Sequence, residues 1–480
     1  MKSKSLYRWL HRGFGAAVLL QTASARADIT LVQTEDWSVY VNGRMQAFLN
    51  YNQAGGLPLS PLDANNTPVS LLAGGDNSPV ELEQGQSAGT AAGKLVDLRV
   101  RTGFVGNVLG FGFKNRLTLD TEVSGYTAVT VYIDSTARRK YAPVTPDWRE
   151  SYLKVAGPWG SVVAGRTLVL FSRGATEITY LYGYKYGLGW VGSVSSQGGN
   201  GPGAGHVGFG ILGNGFGAGI AYATPDIFGA QLTVGVYDAN NIPGSGILER
   251  TKWPRLESEL TYERKLGSNS MFKLFANGAW QKIYENSGAR DQTISGFGYG
   301  GRLELGPIHL GLAGHQGTGV GVNFALEPND SGWHPTLKTF REVDGYSAHL
   351  QIVPSDKIDF MAAAGITRVA RLGIDKSDTR DNDNDDPNGD GFADANPANL
   401  ATPTADDDGV VGPDSVGFVP IKHQLGISAG VTYHLSEHLH LTAEYFRAMF
   451  KWHTPIPYTA GMDGEVQNFD IVNLGVTYDF

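Results

Sequence analysis

The side chains best suited to chemistry are concentrated in one segment. DNDNDDPNGDGFADANP places Asp386, Asn388, Asp390 and Gly391 in the D-x-[DN]-x-[DN]-G order that opens a calcium loop. Carboxylate and amide oxygens are the hard ligands Ca2+ prefers, and the glycine permits a sharp turn between them. Asp381, Asp383, Asp385 and Asp394 supply further oxygens, while Pro397 stands where an EF-hand would place its bidentate Glu. The segment is therefore not an EF-hand. The other reading is a solvated acidic loop. His309, His315, His349, His423 and His440 could serve as bases, but no Gly-x-Ser-x-Gly segment or other nucleophile signature accompanies them. Isolated histidines of this kind read as hydrogen-bonded lining, and no enzyme is expected.

The remaining ionic residues recur at every second position. In WSVYVNGRMQAFLNY, Trp37, Val39, Val41, Met45, Leu49 and Tyr51 share one face, and Ser38, Asn42, Arg44, Gln46 and Asn50 share the other. Leu98, Val100 and Phe104 oppose Asp97, Arg99 and Arg101; Leu117, Leu119 and Val123 oppose Arg116, Thr118, Asp120 and Glu122. The last residues, NFDIVNLGVTYDF, alternate in the same way and end on an aromatic. A charged strand face is costly unless it meets water, so the pattern implies strands with an apolar side and a hydrated side. A membrane β-barrel uses that alternation throughout.

Connections alternate as well. Short turns are expected near Gly106–Gly110, Gly157–Gly160, Pro225–Gly229, Lys265–Ser270, Gly306–Pro307, Pro354–Asp356 and His434–His438. Long polar stretches lie at 52–94, 125–146, 167–214, 239–252, 282–293, 318–343, 371–418 and 453–467. Seven turns and eight loops separate sixteen strands. The spacing thus predicts an all-β fold, a 16-stranded antiparallel transmembrane barrel over 28–480 with both ends on the short-turn side. Aromatics near strand ends, Trp37, Tyr51, Tyr126, Trp148, Trp159, Tyr222, Tyr237, Tyr284, Tyr478 and Phe480, suggest interfacial girdles.

Residues 1–27 read as an export signal. Lys2, Lys4, Arg8 and Arg12 precede the apolar run Gly13–Leu20, and Ala25-Arg26-Ala27 offers a small-x-small cleavage site. That run is far shorter than the ~20 residues of a spanning helix. Cysteine is absent, which excludes disulfides and thiolate metal sites. The formal net charge is −9, but the span Asp375–Asp414 alone contributes −10, so acidity is a property of one loop. No nucleic-acid partner is expected.

Three segments resemble the general diffusion porins of Gram-negative outer membranes. VYVNGRMQAFLNY is similar to their opening strand, RVRTGFVGNVLGFGFKNRLTLDTEV to the second hairpin, and WRESYLKVAGPWGSVVAGRTLVLF to the third. AGIAYATPDIFGAQLTVGVYDA and HQLGISAGVTYHLSEHLHLTAEY resemble later hairpins of the family. The resemblance implies a homotrimeric outer-membrane barrel passing ions and small hydrophilic solutes, in contact with lipid and lipopolysaccharide. It also implies a third long loop, here 167–214, folded inward to narrow the pore. Arg44, Arg101 and Arg149 match the family's basic wall cluster, and Arg166 its Gly-Arg arginine at the loop root; Arg99 shares the polar parity of Arg101. Glu150 and Lys154 fall on the parity opposite Arg149, which conflicts with an inward Arg149.

In the family, acids on that loop face the basic wall. Here the loop holds one acid, Glu177, beside Arg173 and Lys185, and a run of Tyr180, Tyr182, Tyr184, Tyr186 and Trp190. A positive constriction with modest anion preference or weak selectivity is expected, unless the arginines pair with wall acids such as Asp97, Asp120 and Glu122. The tyrosines suit a sugar-stacking rail or plain packing against the wall. A substrate-selective channel, or an adhesin or receptor role for the long loops, is the alternative function. No cofactor is expected beyond Ca2+ in the 371–418 loop, whose Asp spacing resembles that of extracellular adhesive modules. Calorimetric titration with Ca2+ should give saturable heat in both the whole protein and the loop peptide; silence in both removes that site.

Overall fold

The computed structural model describes residues 28–55, 59–62, 68–70, 95–103, 106–131, 146–178, 206–239, 253–283, 292–326, 333–334, 339–370, 421–452 and 466–480. The 1–27 segment and the 371–418 loop, with Asp381, Asp383, Asp385, Asp386, Asn388, Asp390 and Asp394, lie outside the described residues. So do Lys185 and the Tyr180–Trp190 run.

Sixteen long strands carry the fold. The first four are β1 (Trp37–Gly55), β2 (Leu95–Arg101 continued by Asn107–Thr118), β3 (Thr121–Val131) and β4 (Asp147–Gly157). β5 (Gly160–Leu168), β6 (Phe216–Ala223), β7 (Ala230–Tyr237) and β8 (Arg255–Gly267) follow. Next come β9 (Ser270–Ile283), β10 (Gln292–Leu305), β11 (Ile308–Thr318) and β12 (Glu342–Ser355). The last are β13 (Ile358–Val369), β14 (Ile421–His434), β15 (Leu439–Trp452) and β16 (Val466–Asp479).

Each strand pairs antiparallel with the next. β16 pairs with β1 from Asn468↔Gly55 to Asp479↔Arg44, which closes the barrel. Closure satisfies the backbone of every wall strand without an open edge, as a membrane-spanning sheet requires. A short strand, Ile29–Gln33, pairs with β1 beyond the point where β16 ends.

The period of two sorts the side chains. On β16, Val472, Leu474, Val476 and Tyr478 are 39–52% exposed, whereas Asn473, Thr477 and Asp479 are at most 1% exposed. Apolar residues therefore face outward and polar ones inward. Trp37, Tyr51, Trp148, Trp159, Tyr222 and Tyr478 are exposed as girdle residues should be, and Trp159 stacks on Tyr222. Tyr126 and Tyr237 are buried on the inner side and leave the girdle. Tyr284 lies outside the described residues.

One expected turn is misplaced. Gly106–Gly110 is not a turn: β2 runs on past it, with Arg101 opposite Phe48 and Val108 opposite Arg44. Between these two stretches Gln46 holds the chain: its backbone N donates to Asn107 Oδ1 at 2.7 Å and its Nε2 donates to the Gly106 carbonyl at 2.7 Å. The hairpin turn is Leu119–Asp120, between β2 and β3.

Candidate functional site

The inner wall of β8 carries Arg255, Glu257 and Glu259 on successive inward positions, all nearly inaccessible. The chain leaves β5 at Leu168 and turns into the barrel against this row. Glu257 Oε2 accepts the backbone N–H groups of Leu170 at 2.7 Å and Phe171 at 2.8 Å. Its other oxygen is 2.7 Å from Arg255 Nε, an ion pair rather than an aligned hydrogen bond. A one-turn helix, α1 (Arg173–Glu177), continues inward; Ser172 precedes it at φ 67°. Arg173 pairs with Glu259, and Glu177 with Lys273 of β9. Burial opposes the Arg173 charge, but the Glu259 and Glu177 carboxylates outweigh it and raise the guanidinium above its ordinary pKa.

The returning half of the loop is fastened to the opposite wall. Gly210 N donates to Thr367 Oγ1 at 2.9 Å and Gln424 Nε2 donates to the Gly208 carbonyl, while Ser172 Oγ, at the loop's own root, donates to the Leu212 carbonyl at 2.6 Å. His206 Nδ1 faces the Phe209 carbonyl at 3.3 Å, so its Nε2 accepts from Ser428 Oγ at 2.7 Å. Burial pushes His206 down to about 4, which keeps it neutral at neutral pH. Residues 319–326 also fold inward: Val320, Val322 and Leu326 join Phe171, Leu212, Ile283 and Ile294 in an apolar cluster inside the barrel. Close approach needs glycine at inward wall positions. A β-carbon on Gly365 would lie 1.9 Å from the Phe209 carbonyl oxygen, and one on Gly296 2.6 Å from the Phe171 ring. This side of the interior is therefore a dry core as well as a wall.

Of the sequence-derived site residues, Arg173 and Glu177 stand on the inward loop. Arg44 belongs to the seam, where its Nε is 2.9 Å from Asp479 Oδ1 of β16. Arg149 pairs with Asp147 on its own strand, at a register shift opposite Ala128–Thr130. That shift resolves the parity conflict: Glu150 and Lys154 pair with the inward positions Ala128 and Ser124. Arg166 is exposed in register with Ser151 and Ala218 on the outward parity, so it is not a constriction residue. Gly165, at φ 132°, precedes it, and the inward neighbours on β5 are Val163 and Thr167. Arg99 and Arg101 are in register with Asn50 and Phe48, but their side chains lie outside the described residues.

The described charges of the loop, Arg173 and Glu177, are thus consumed in pairs with the wall, and the wall acids Glu257 and Glu259 hold the loop backbone and Arg173. Sequence reasoning missed Arg255, Glu257, Glu259 and Lys273. RLESE does place its three charges on one parity, but nothing in it says that the facing group is a loop backbone.

No protein-family model matches the sequence and no curated protein matches it. Among solved structures, the outer membrane channel DcaP of Acinetobacter baumannii superposes with TM-score 0.58 at 12% identity, over 94% of this chain and 100% of that one. An anion-selective porin from Comamonas acidovorans gives 0.51 at 12% identity, over 93% and 100%.

Two outcomes test this arrangement. Glu257→Ala removes the carboxylate beside Arg255 and strands two buried amides, and should lower unfolding stability by about 3–5 kcal/mol while making the loop root protease-sensitive. For His206, the unfolded chain takes up its proton near pH 6.5, the folded chain only near 4. Its contribution to loop docking is therefore intact above about pH 6.5 and lost progressively towards pH 4. Ser428→Ala and His206→Asn should blunt that acid loosening in limited proteolysis. With its closed sixteen-strand wall, outward apolar face and loop carried into the lumen, the chain has the fold of the outer-membrane porins.

Proposed function

We propose that the protein is an outer-membrane porin, a water-filled channel for passive diffusion of ions and small hydrophilic solutes. The observation that carries this reading is the sorting of the wall: hydrocarbon-compatible residues outside, ionised residues inside a closed barrel. A barrel that buried its polar parity against nothing would have no reason to place so many charges there.

The reading includes weak selectivity with a modest anion preference. The described loop charges, Arg173 and Glu177, are neutralised in pairs, so the preference falls to the inner wall of β2–β4. There Lys114 and Lys154 are both in register with Ser124, with Glu122 as the nearby acid. Lys114 Nζ also lies 5.4 Å from the Tyr40 ring centroid. Bore, wall charge and lining polarity set selectivity in such pores, and no catalytic step is involved.

A homotrimer fits the outer surface. Arg166 and Ser151 lie on the outward face of β4–β5. An arginine facing hydrocarbon costs about 2–4 kcal/mol at mid-bilayer and little near the interface, so this patch suits a subunit contact or the headgroup level of lipid and lipopolysaccharide. The acidic 371–418 loop, as an external calcium site, belongs to the same proposal.

Purified protein in planar bilayers should insert in units of three equal current steps; no conductance would overturn the channel, and single steps the trimer. Under a salt gradient the reversal potential should be on the anion side at low salt and fade towards molar salt, where the Debye length falls to about 3 Å. Lys114→Glu with Lys154→Glu should move it to the cation side.

A further inference from the structure

The returning half of the inward loop rests on the wall through His206 and Phe209, and a second imidazole lies beneath it. His349 of β12, Ala363 of β13, Ser428 of β14 and Phe446 of β15 stand in register across four strands on the inner face. His206 sits on that row. Beside its bond to Ser428, its ring meets His349 edge to face at 5.4 Å between centroids and Phe446 at 5.2 Å. Phe209 sits on the next row, against Gly365 and Gly426, with its ring centroid 5.1 Å from that of Phe446. His206 is wholly inaccessible and His349 is 3% exposed.

This seat suits two neutral rings. The nitrogens of His206 are taken by the Phe209 carbonyl and Ser428, so neither is left for its neighbour. Neither nitrogen of His349 has a protein partner among the described residues. A proton added to either ring would place a charge in an apolar seat against another imidazole, at a high desolvation cost. The titratable groups that face the pair are His315 of β11, which meets the Gly210 backbone, and Glu444 of β15, at the next inward position from Phe446. β13 and β14 present Ala363, Thr367, Gln424 and Ser428, none of which takes up a proton.

We infer that His206 and His349 form a proton-operated latch: as neutral rings they let the loop sit, and acid lifts it from β12–β15. Lifting exposes both imidazoles to lumen water, where each can ionise. Both protons then bias one two-state element, seated or lifted, so the response is steeper than a single histidine gives. With a pKa of about 6.5 when lifted and about 4 when seated, His206 alone multiplies the lifted fraction by about 30 between pH 7.5 and pH 5. His349 adds to that factor. The latch does not depend on conduction.

The test is hydrogen–deuterium exchange of the full-length protein folded in detergent, read by mass spectrometry from pH 7.5 to pH 5 and corrected for the intrinsic pH dependence of amide exchange. Gly208 N and Gly210 N are hydrogen-bonded in the seated loop, so residues 206–213 report on it. Exchange there should rise more than about 30-fold, with a slope of about two protons per pH unit in the acid range, while the β6–β7 ladder stays protected. His349→Phe, which keeps a ring in the seat, should lower the slope to about one, and His206→Gln added to it should remove the response. Exchange independent of pH in the unsubstituted protein, or a double variant as steep as the unsubstituted chain, would overturn the latch. A slope of about one before any substitution would remove His349 from it. Two of these readings need no variant to fold. The consequence for the bore rests on the channel function proposed above: single-channel current should rise at pH 5 in the unsubstituted protein and not in the double variant. Equal currents would overturn that consequence and leave the exchange result standing.

Discussion

A sheet placed in hydrocarbon has nowhere to leave an unpaired edge, and closing it brings together residues from the two ends of the chain. The closing contact is the seam between β1 and β16. Gly43 N donates to the Phe480 carbonyl at 2.6 Å and Phe480 N returns a bond to the Gly43 carbonyl at 3.0 Å. Next to it Arg44 meets Asp479 on the lumen side, both almost inaccessible. A buried pair of this kind is poor evidence of net stability, but breaking one partner leaves the other charge stranded. The pair therefore makes register costly to change at the point where a slip by one residue would turn every side chain of β16 to the wrong medium. Everything inside the barrel presumes that this register holds.

Given a closed wall, the interior has to be both wet enough for ions and rigid enough to hold a loop. The chain solves the second requirement with unlike materials on either side of the loop. On β8 the anchor is electrostatic: one carboxylate, Glu257, takes two backbone amides that would otherwise be buried without partners. On β10 and β13 the anchor is steric, since Gly296 and Gly365 leave room for Phe171 and for the Phe209 carbonyl. Phe171 and Leu212 of the loop then share an apolar cluster with Val320 and Val322 of the 319–326 segment. Two loops that enter the same lumen thus stabilise each other, and neither would pack as well alone.

The barrel itself was legible because alternation between two media is a long-range, repeated signal. Strand number, the parity of β1 and β16, and the alternation of short turns with long loops all follow from it. Two local features were not. The Leu119–Asp120 turn is invisible to parity, because a register shift beside it sets Arg116 opposite Glu122 and leaves both strands on the same even numbering. Gly106 and Gly110 look like a turn, but Gly110 lies within a strand segment paired with β1 and Gly106 just before it. Two members of the expected basic wall cluster were misplaced for a related reason. Motif matching fixes neither bulges nor the one-residue offset that decides facing, so Arg149 fell in a register shift and Arg166 on the outward parity. The anchors Glu257 and Glu259 were unreadable because their partner is loop backbone far along the chain.

Pairing also decides where an electric field can arise in this lumen. Arg173, Arg255 and Lys273 are matched by Glu259, Glu257 and Glu177 at short range, so their fields cancel within a few ångströms. Such charges position the loop but contribute little to what an ion feels across the bore. Lys114 and Lys154 stand on another part of the wall, both in register with Ser124. The residues that fasten the described loop segments and those that charge the wall between β2 and β4 are therefore different residues. A change in the loop's seat would leave the charge of that wall as it is, and a change in that wall would leave the seat.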